Sequence, residues 1–98
     1  MYKEIRYKVK NGKFFHIKIR FDKKIEAIEI IGDFFIYPDN GLYLIENSLK
    51  NLSLDKNLIG DKIKDKIRDK INEIVNKNSI KMIGIDSESI AGAILECI

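Results

Sequence analysis

The sequence predicts an α+β domain: a small antiparallel three-stranded meander sheet covered on one face by about three helices. Three observations carry that expectation. The first third alternates apolar and charged residues with a period of two. Turn signals separate the alternating runs. The remainder carries apolar residues at helical spacing. Ninety-eight residues fit one domain, spanning 1–98, with room for one modest core.

Ile5, Tyr7 and Val9 alternate with Arg6 and Lys8 in the first strand, and Asn11-Gly12 marks a turn. Phe15, Ile17, Ile19 and Phe21 alternate with His16, Lys18 and Arg20 in the second. Asp22-Lys23 closes a tight connection. In the third run Glu26, Ile28 and Ile30 share one face, and Ala27, Glu29 and Ile31 the other. Strands joined by such short turns pair antiparallel, and their Ile- and Phe-rich face demands an apolar cover.

Helices provide that cover. Pro38-Asp39-Asn40-Gly41 breaks the strand pattern, with Asp39 or Asn40 placed to accept the first orphan amides of a helix. Leu42, Ile45, Leu49 and Leu52 follow at helical spacing. A second helix begins near Asp55, with Ile59, Ile63, Ile67, Ile71 and Ile74 or Val75 as its stripe. Within it, residues 61–72 repeat as DKIK-DKIR-DKIN. A period of four drifts by roughly 40° per repeat against 3.6 residues per turn, which suits a helix wrapping a curved surface. Asp61 with Lys64, and Asp65 with Arg68, stand at (i, i+3), where each pair is worth ~0.2–0.5 kcal/mol. The run from Ile80 to Ile85 reads as a short extended piece. Asp86 or Ser87 then caps a last helix whose buried side is Ile90, Ala91, Ile94 and Leu95. Gly92 weakens that helix by ~1 kcal/mol relative to Ala.

Composition excludes several classes. The net charge of +3 is mild and spread along the chain. One Cys and one His cannot build a zinc set or an internal disulfide. No apolar run is long enough to cross a membrane and no secretion-type leader opens the sequence, so the cytoplasm is the expected location. No glycine-rich phosphate loop occurs. His16, on the strand face of Lys18 and Arg20, reads as a surface residue without a nucleophilic partner. Nothing here is a self-sufficient catalytic set.

The residues that remain suggest binding. Phe34 and Phe35 are adjacent, so in a strand they point to opposite faces: one enters the core, and the other is exposed or covered by something else. Tyr37 and Phe14 extend the same surface, although core filling is the common fate of any single aromatic. Asp33 either caps a local turn through backbone amides or anchors an interface. Lys13, just after the turn, is either solvated or reaches a phosphate presented by a partner. Lys8, Lys10, Lys13, Lys18 and Arg20 offer an alternative as a basic nucleic-acid module, against which the sheet lacks interleaved aromatics and the long helix matches Asp to Lys.

Two motifs in this order resemble the C-terminal accessory domain of lipoate–protein ligases. That family shows Y-K-V-P-G-G-K-L, then I-x-x-I-x-I-x-G-D-F-F-x-x-P-E. Tyr7-Lys8-Val9 and Gly12-Lys13-Phe14 match the first, with Lys10-Asn11 in place of Pro-Gly. Ile25, Ile28, Ile30, Gly32, Asp33, Phe34, Phe35 and Pro38 match the second, with Asp39 for Glu. Ile83-Gly84-Ile85-Asp86-Ser87-Glu88-Ser89-Ile90 is similar to the family's G-[VI]-T-x-E-x-[IL].

In that family the domain is fused behind a catalytic domain or made as a separate small subunit. The resemblance therefore implies a non-catalytic accessory subunit that binds no cofactor itself. A catalytic subunit, its partner in a heterodimer, would bind lipoate, ATP and Mg2+, form lipoyl-AMP, and pass the lipoyl group to a lysine of an acceptor domain. Gly32, Asp33, Phe34, Phe35 and Phe14 are then the expected partner-binding residues, with Lys13 towards the nucleotide side. Replacing Phe34 and Phe35 together with Ala is expected to abolish activation and leave the fold intact. A general protein-interaction adaptor without a role in acyl activation is the other alternative.

Overall fold

A computed structural model describes residues 1–10, 12–54 and 60–98. Strands β1 (Tyr2–Lys8), β2 (Phe14–Phe21) and β3 (Ile25–Gly32) form an antiparallel sheet in sequence order. A short strand β4 (Phe35–Tyr37) leads into helix α1 (Gly41–Leu49). Helix α2 (Gly60–Lys77), strand β5 (Lys81–Ile83) and helix α3 (Ser87–Cys97) complete the chain. The predicted α+β architecture is present. One feature adds to it: β4 pairs antiparallel with β5 in a second, two-stranded sheet.

The inner face of the larger sheet follows the alternation in β2, where Phe15, Ile17, Ile19 and Phe21 are all buried. Ile5 and Tyr7 of β1 stand opposite Ile17 and Phe15, and Ile28 and Ile30 of β3 opposite Ile19 and Ile17. The register shifts at Phe21, so that Arg20 faces Ala27 but Phe21 faces Ile25. Without that extra residue Phe21 would meet Glu26 on the core side. The bulge instead turns Ile25 inward, fully buried, and leaves Glu26 beside Arg20 at 3.4 Å. Glu26 thus leaves the face that simple alternation shares among Glu26, Ile28 and Ile30.

Helices α1 and α3 lie on the sheet, α1 against β3 and α3 against β1 and β2; α2 packs chiefly across α1 and α3. Ile45, Leu49, Ile67, Ile71, Ile90 and Ile94 close one continuous core with the strands. Ile67 and Ile71 are fully buried while Ile63, Ile74 and Val75 are half-buried, as a drifting stripe requires. The expected start of this helix near Asp55, and Ile59, lie outside the described residues. Asp65 pairs with Arg68 at 3.0 Å as its spacing suggests, but Lys64 turns from Asp61 to Glu88 of α3 at 2.8 Å. A carboxylate on the neighbouring helix offers the better geometry than one on the same helix.

Helix α1 is shorter than its apolar spacing suggests. It ends at Leu49, Asn51 takes a left-handed conformation (φ 70°), and Leu52 belongs to the following extended segment. That segment pairs with the start of β3: the Ile25 amide donates to the Leu52 carbonyl and the Asn51 amide to the Ile25 carbonyl. Nor do the expected caps form at the other end, since the Asn40 side chain makes no capping bond. The Gly41 amide is instead satisfied by the Pro38 carbonyl at 2.8 Å.

Asp86, by contrast, caps α3 as expected, its Oδ1 accepting from the Ser89 amide at 2.7 Å. Asp86→Ala should lower stability by ~1 kcal/mol, read as a shift in a urea or thermal transition. Gly92 in this helix has a tertiary cause. A Cβ there would lie 2.7 Å from the Tyr7 hydroxyl, so glycine is what lets β1 approach α3.

Glu46 of α1 covers the open side of β3, its carboxylate accepting from the Ile30 amide at 2.8 Å. Burial pushes its pKa up from 4.5; the Ile30 amide pulls the other way, and nearby Glu29 adds to the rise. A carboxylate whose folded pKa is raised binds its proton more readily when folded. Stability from this group therefore falls as pH rises from the unfolded value through the folded one. Glu46→Gln keeps an oxygen for the Ile30 amide without a buried charge. We expect it to remove that decline, leaving the variant at least as stable as the parent at neutral pH. Paired thermal melts between pH about 4 and about 7 check this.

Candidate protein-docking site

Alternation along β4 sorts its three residues. Ile36 pairs with Met82 of β5 and packs against the core. Phe35 and Tyr37 take the opposite face, where Phe35 pairs with Ile83 and Tyr37 with Lys81. That face is bare: Phe35 is 75% exposed, Tyr37 71% and Ile83 55%. Phe34 is half-buried and packs against the core. The two adjacent phenyl rings therefore divide as their positions in the chain predict. Because Phe34 packs against the core, a double replacement of Phe34 and Phe35 is expected to lower stability as well as docking.

Two glycines hold Phe34 in place. A Cβ on Gly32 would lie 2.8 Å from the Phe15 Cβ and 3.1 Å from the Phe34 ring, so the ring closes directly over bare backbone. Gly84, just after β5, has φ +88°, a left-handed conformation that side-chain-bearing residues avoid, and its α-carbon side faces the Asp33 carbonyl and Phe34. The turn between β1 and β2 meets the same place. It is closed by the Val9 amide donating to the Lys13 carbonyl and the Gly12 amide to the Val9 carbonyl.

Lys13 Nζ reaches Asp33 Oδ2 at 2.7 Å, with both side chains more than 70% exposed. Such a pair contributes only ~0–1 kcal/mol. Its effect is geometric: it ties the β1–β2 turn to the link between β3 and β4. Together Gly12, Lys13, Asp33, Phe34, Phe35 and Ile83 line an open depression of about 460 Å³. Gly32, Asp33, Phe34, Phe35 and Lys13 thus come together. Phe14 stands beside them on the outer face of the larger sheet, 44% exposed, with the Arg6 guanidinium 4.0 Å above its ring. His16 lies on that outer face between Arg6 and Ile31, exposed.

Ile83 and Lys81 escaped the sequence reading. The run from Ile80 to Ile85 was legible as extended, but three residues of strand are too few to show which face is wet. Their pairing with Phe35 and Tyr37 spans more than forty residues of chain, and no local pattern announces it.

Among the described residues, no three His, Cys, Asp or Glu side chains converge as a metal site would require. No helix among them is long and apolar enough to cross a membrane. An aromatic-aliphatic ledge with a charged rim has the anatomy of a protein interface.

Neither a family model nor a curated protein matches the sequence. A solved structure does. The chain is similar to a chain from the structural analysis of an archaeal lipoylation system, "a bi-partite lipoate protein ligase and its E2 lipoyl domain from Thermoplasma acidophilum". The two are 26% identical with a TM-score of 0.74, over 100% of this chain and 98% of that one. This whole-length likeness bears out the resemblance carried by the Tyr7–Phe14 and Ile25–Pro38 motifs.

Proposed function

We propose that this chain is the non-catalytic accessory subunit of a two-part lipoate–protein ligase and docks on the catalytic subunit through the Phe35 ledge. One observation carries the reading. The Gly32–Phe35 motif, which makes the sequence resemble that family, is also where the fold leaves its most exposed phenyl ring. The end-to-end similarity to a chain of the archaeal system supports it.

Adenylation needs a carboxylate and an α-phosphate held in line, with mobile loops ordered around them. A small domain that binds only the ordered state shifts the population towards it. In this scheme the catalytic subunit holds lipoate, ATP and Mg2+ and forms lipoyl-AMP. This chain contributes docking energy, with Lys13 on the side of the nucleotide. In the same scheme Mg2+ belongs with the partner and its ATP. The lipoyl group then passes to a lysine of an acceptor domain. The cytoplasm is the compartment this role requires.

The deciding experiment measures lipoyl-AMP formation by the catalytic subunit with lipoate, ATP and Mg2+, in the presence and absence of this chain. A strong dependence on the chain is expected. Equal rates would show an adaptor without a part in activation.

A further inference from the structure

The chain's positive charge is not spread as its sequence suggests. Around the ledge and the adjoining end of the sheet stand Arg6, Lys8, Lys10, Lys13 and Lys81, all exposed, against Asp33 and Asp39. That surplus of three equals the net charge of the whole chain. Over the rest of the chain basic and acidic residues are equal in number, although several lysines there, among them Lys3, Lys23, Lys24, Lys50 and Lys77, also form no ion pair among the described residues. At the other end of the outer sheet face, Lys18 sits between Glu4 and Glu29 across the strands, and Arg20 pairs with Glu26. On the helices, Lys64 and Arg68 share Glu88, and Arg68 also meets Asp65 and Asp69.

At the ledge only Lys13 has a carboxylate partner. Among the described residues Arg6, Lys8, Lys10 and Lys81 form no ion pair. Arg6 is held by the Phe14 ring instead, which leaves its charge available. These four cations lie on elements that flank the apolar centre of Phe35, Tyr37 and Ile83: Lys81 beside Tyr37 on β5, and Arg6, Lys8 and Lys10 on the strand and turn that lead to Lys13.

We infer that the surface this corner fits is an apolar recess bordered by carboxylates on the catalytic partner. The inference rests on the docking reading above and deepens it. The two parts of the corner have separate tasks. The unmatched cations act at a distance, so they steer encounter and set the association rate. Phe35 and Ile83 act only on contact, so they set the dissociation rate. A nucleic acid would use the cations and stack on Phe35 and Tyr37 but gain little from Ile83; the end-to-end likeness to a chain of a two-part ligase system favours a protein recess, which uses all three.

Association of this chain with the catalytic ligase subunit, followed over a series of salt concentrations, tests the inference. For the parent, the association rate should fall steeply with salt. Lys8→Glu combined with Lys10→Glu alters only exposed side chains. It should slow association at low salt by about tenfold or more, flatten the salt dependence and leave dissociation within about twofold. An unchanged association rate overturns the inference. So does retention of the free chain on single-stranded RNA at about 0.15 M salt with loss in the same variant. The two readings fail separately. If the chain binds with the expected salt dependence but adds nothing to lipoyl-AMP formation, the accessory role falls and the acidic recess stands. If stimulation persists while Lys8→Glu/Lys10→Glu associates normally, the recess falls and the role stands.

Discussion

Phe35→Ala should abolish stimulation of the catalytic subunit while leaving this chain as stable as before. The side chain is 75% exposed and lies on the face of β4 opposite Ile36, so removing it opens no cavity. A central aromatic anchor at a protein interface typically accounts for ~2–4 kcal/mol, which weakens a complex roughly 30- to 1000-fold. Measured at a subunit concentration near the parent Kd, that loss leaves almost no complex. Phe34→Ala provides the contrast. That ring is half-buried over Gly32, so its loss should lower the melting temperature and affect docking only indirectly. If Phe35→Ala stimulates like the parent, the ledge is not the docking surface, whatever the fate of Phe34→Ala.

The second large effect is expected at Gly32. Gly32→Val would place a Cβ 2.8 Å from the Phe15 Cβ, and the Phe15 side chain is fixed in the core at 1% exposure. Neither atom has a flexible end that can swing aside, so the strands or the Phe34 ring must move. Overpacking of this kind costs about 1–3 kcal/mol. In a domain of this size each kcal/mol lowers the melting temperature by roughly 4–8 °C. The same displacement tilts the link to β4 and misplaces Phe35, so stimulation should fall beyond what the loss of folded chain explains. A variant that melts with the parent would mean that Phe34 does not close over the backbone as tightly as these distances state.

Several features were legible because they follow from periods of two and 3.6. The three strands, the buried side of β2, the Ile67 and Ile71 stripe and the Asp86 cap belong to this group. The opposite fates of Phe34 and Phe35 were also legible, because alternation continues one residue back from β4 into the link that carries Phe34. Other features were not legible. Continued apolar spacing to Leu52 imitated a longer helix, but pairing of Asn51 and Leu52 with Ile25 competes for those backbone groups and wins. Lys64 had Asp61 at helical distance and took Glu88. Gly92 looked like a weakness in α3 until Tyr7 proved to occupy the space a side chain would need.

From the sequence alone came the types of the long elements, the inward side of β2 and of the helical stripes, and the motif order from Tyr7 to Pro38 that suggested a partner. These depend on neighbours within a few residues, whose relations the backbone geometry sets. Tertiary structure alone decided that Ile83 and Lys81 join Phe35 and Tyr37, that Lys13 closes on Asp33, and that the surplus of positive charge falls beside them. Each of those juxtaposes residues distant in the chain. Contacts of that kind exist only once the core has brought the strands and helices together.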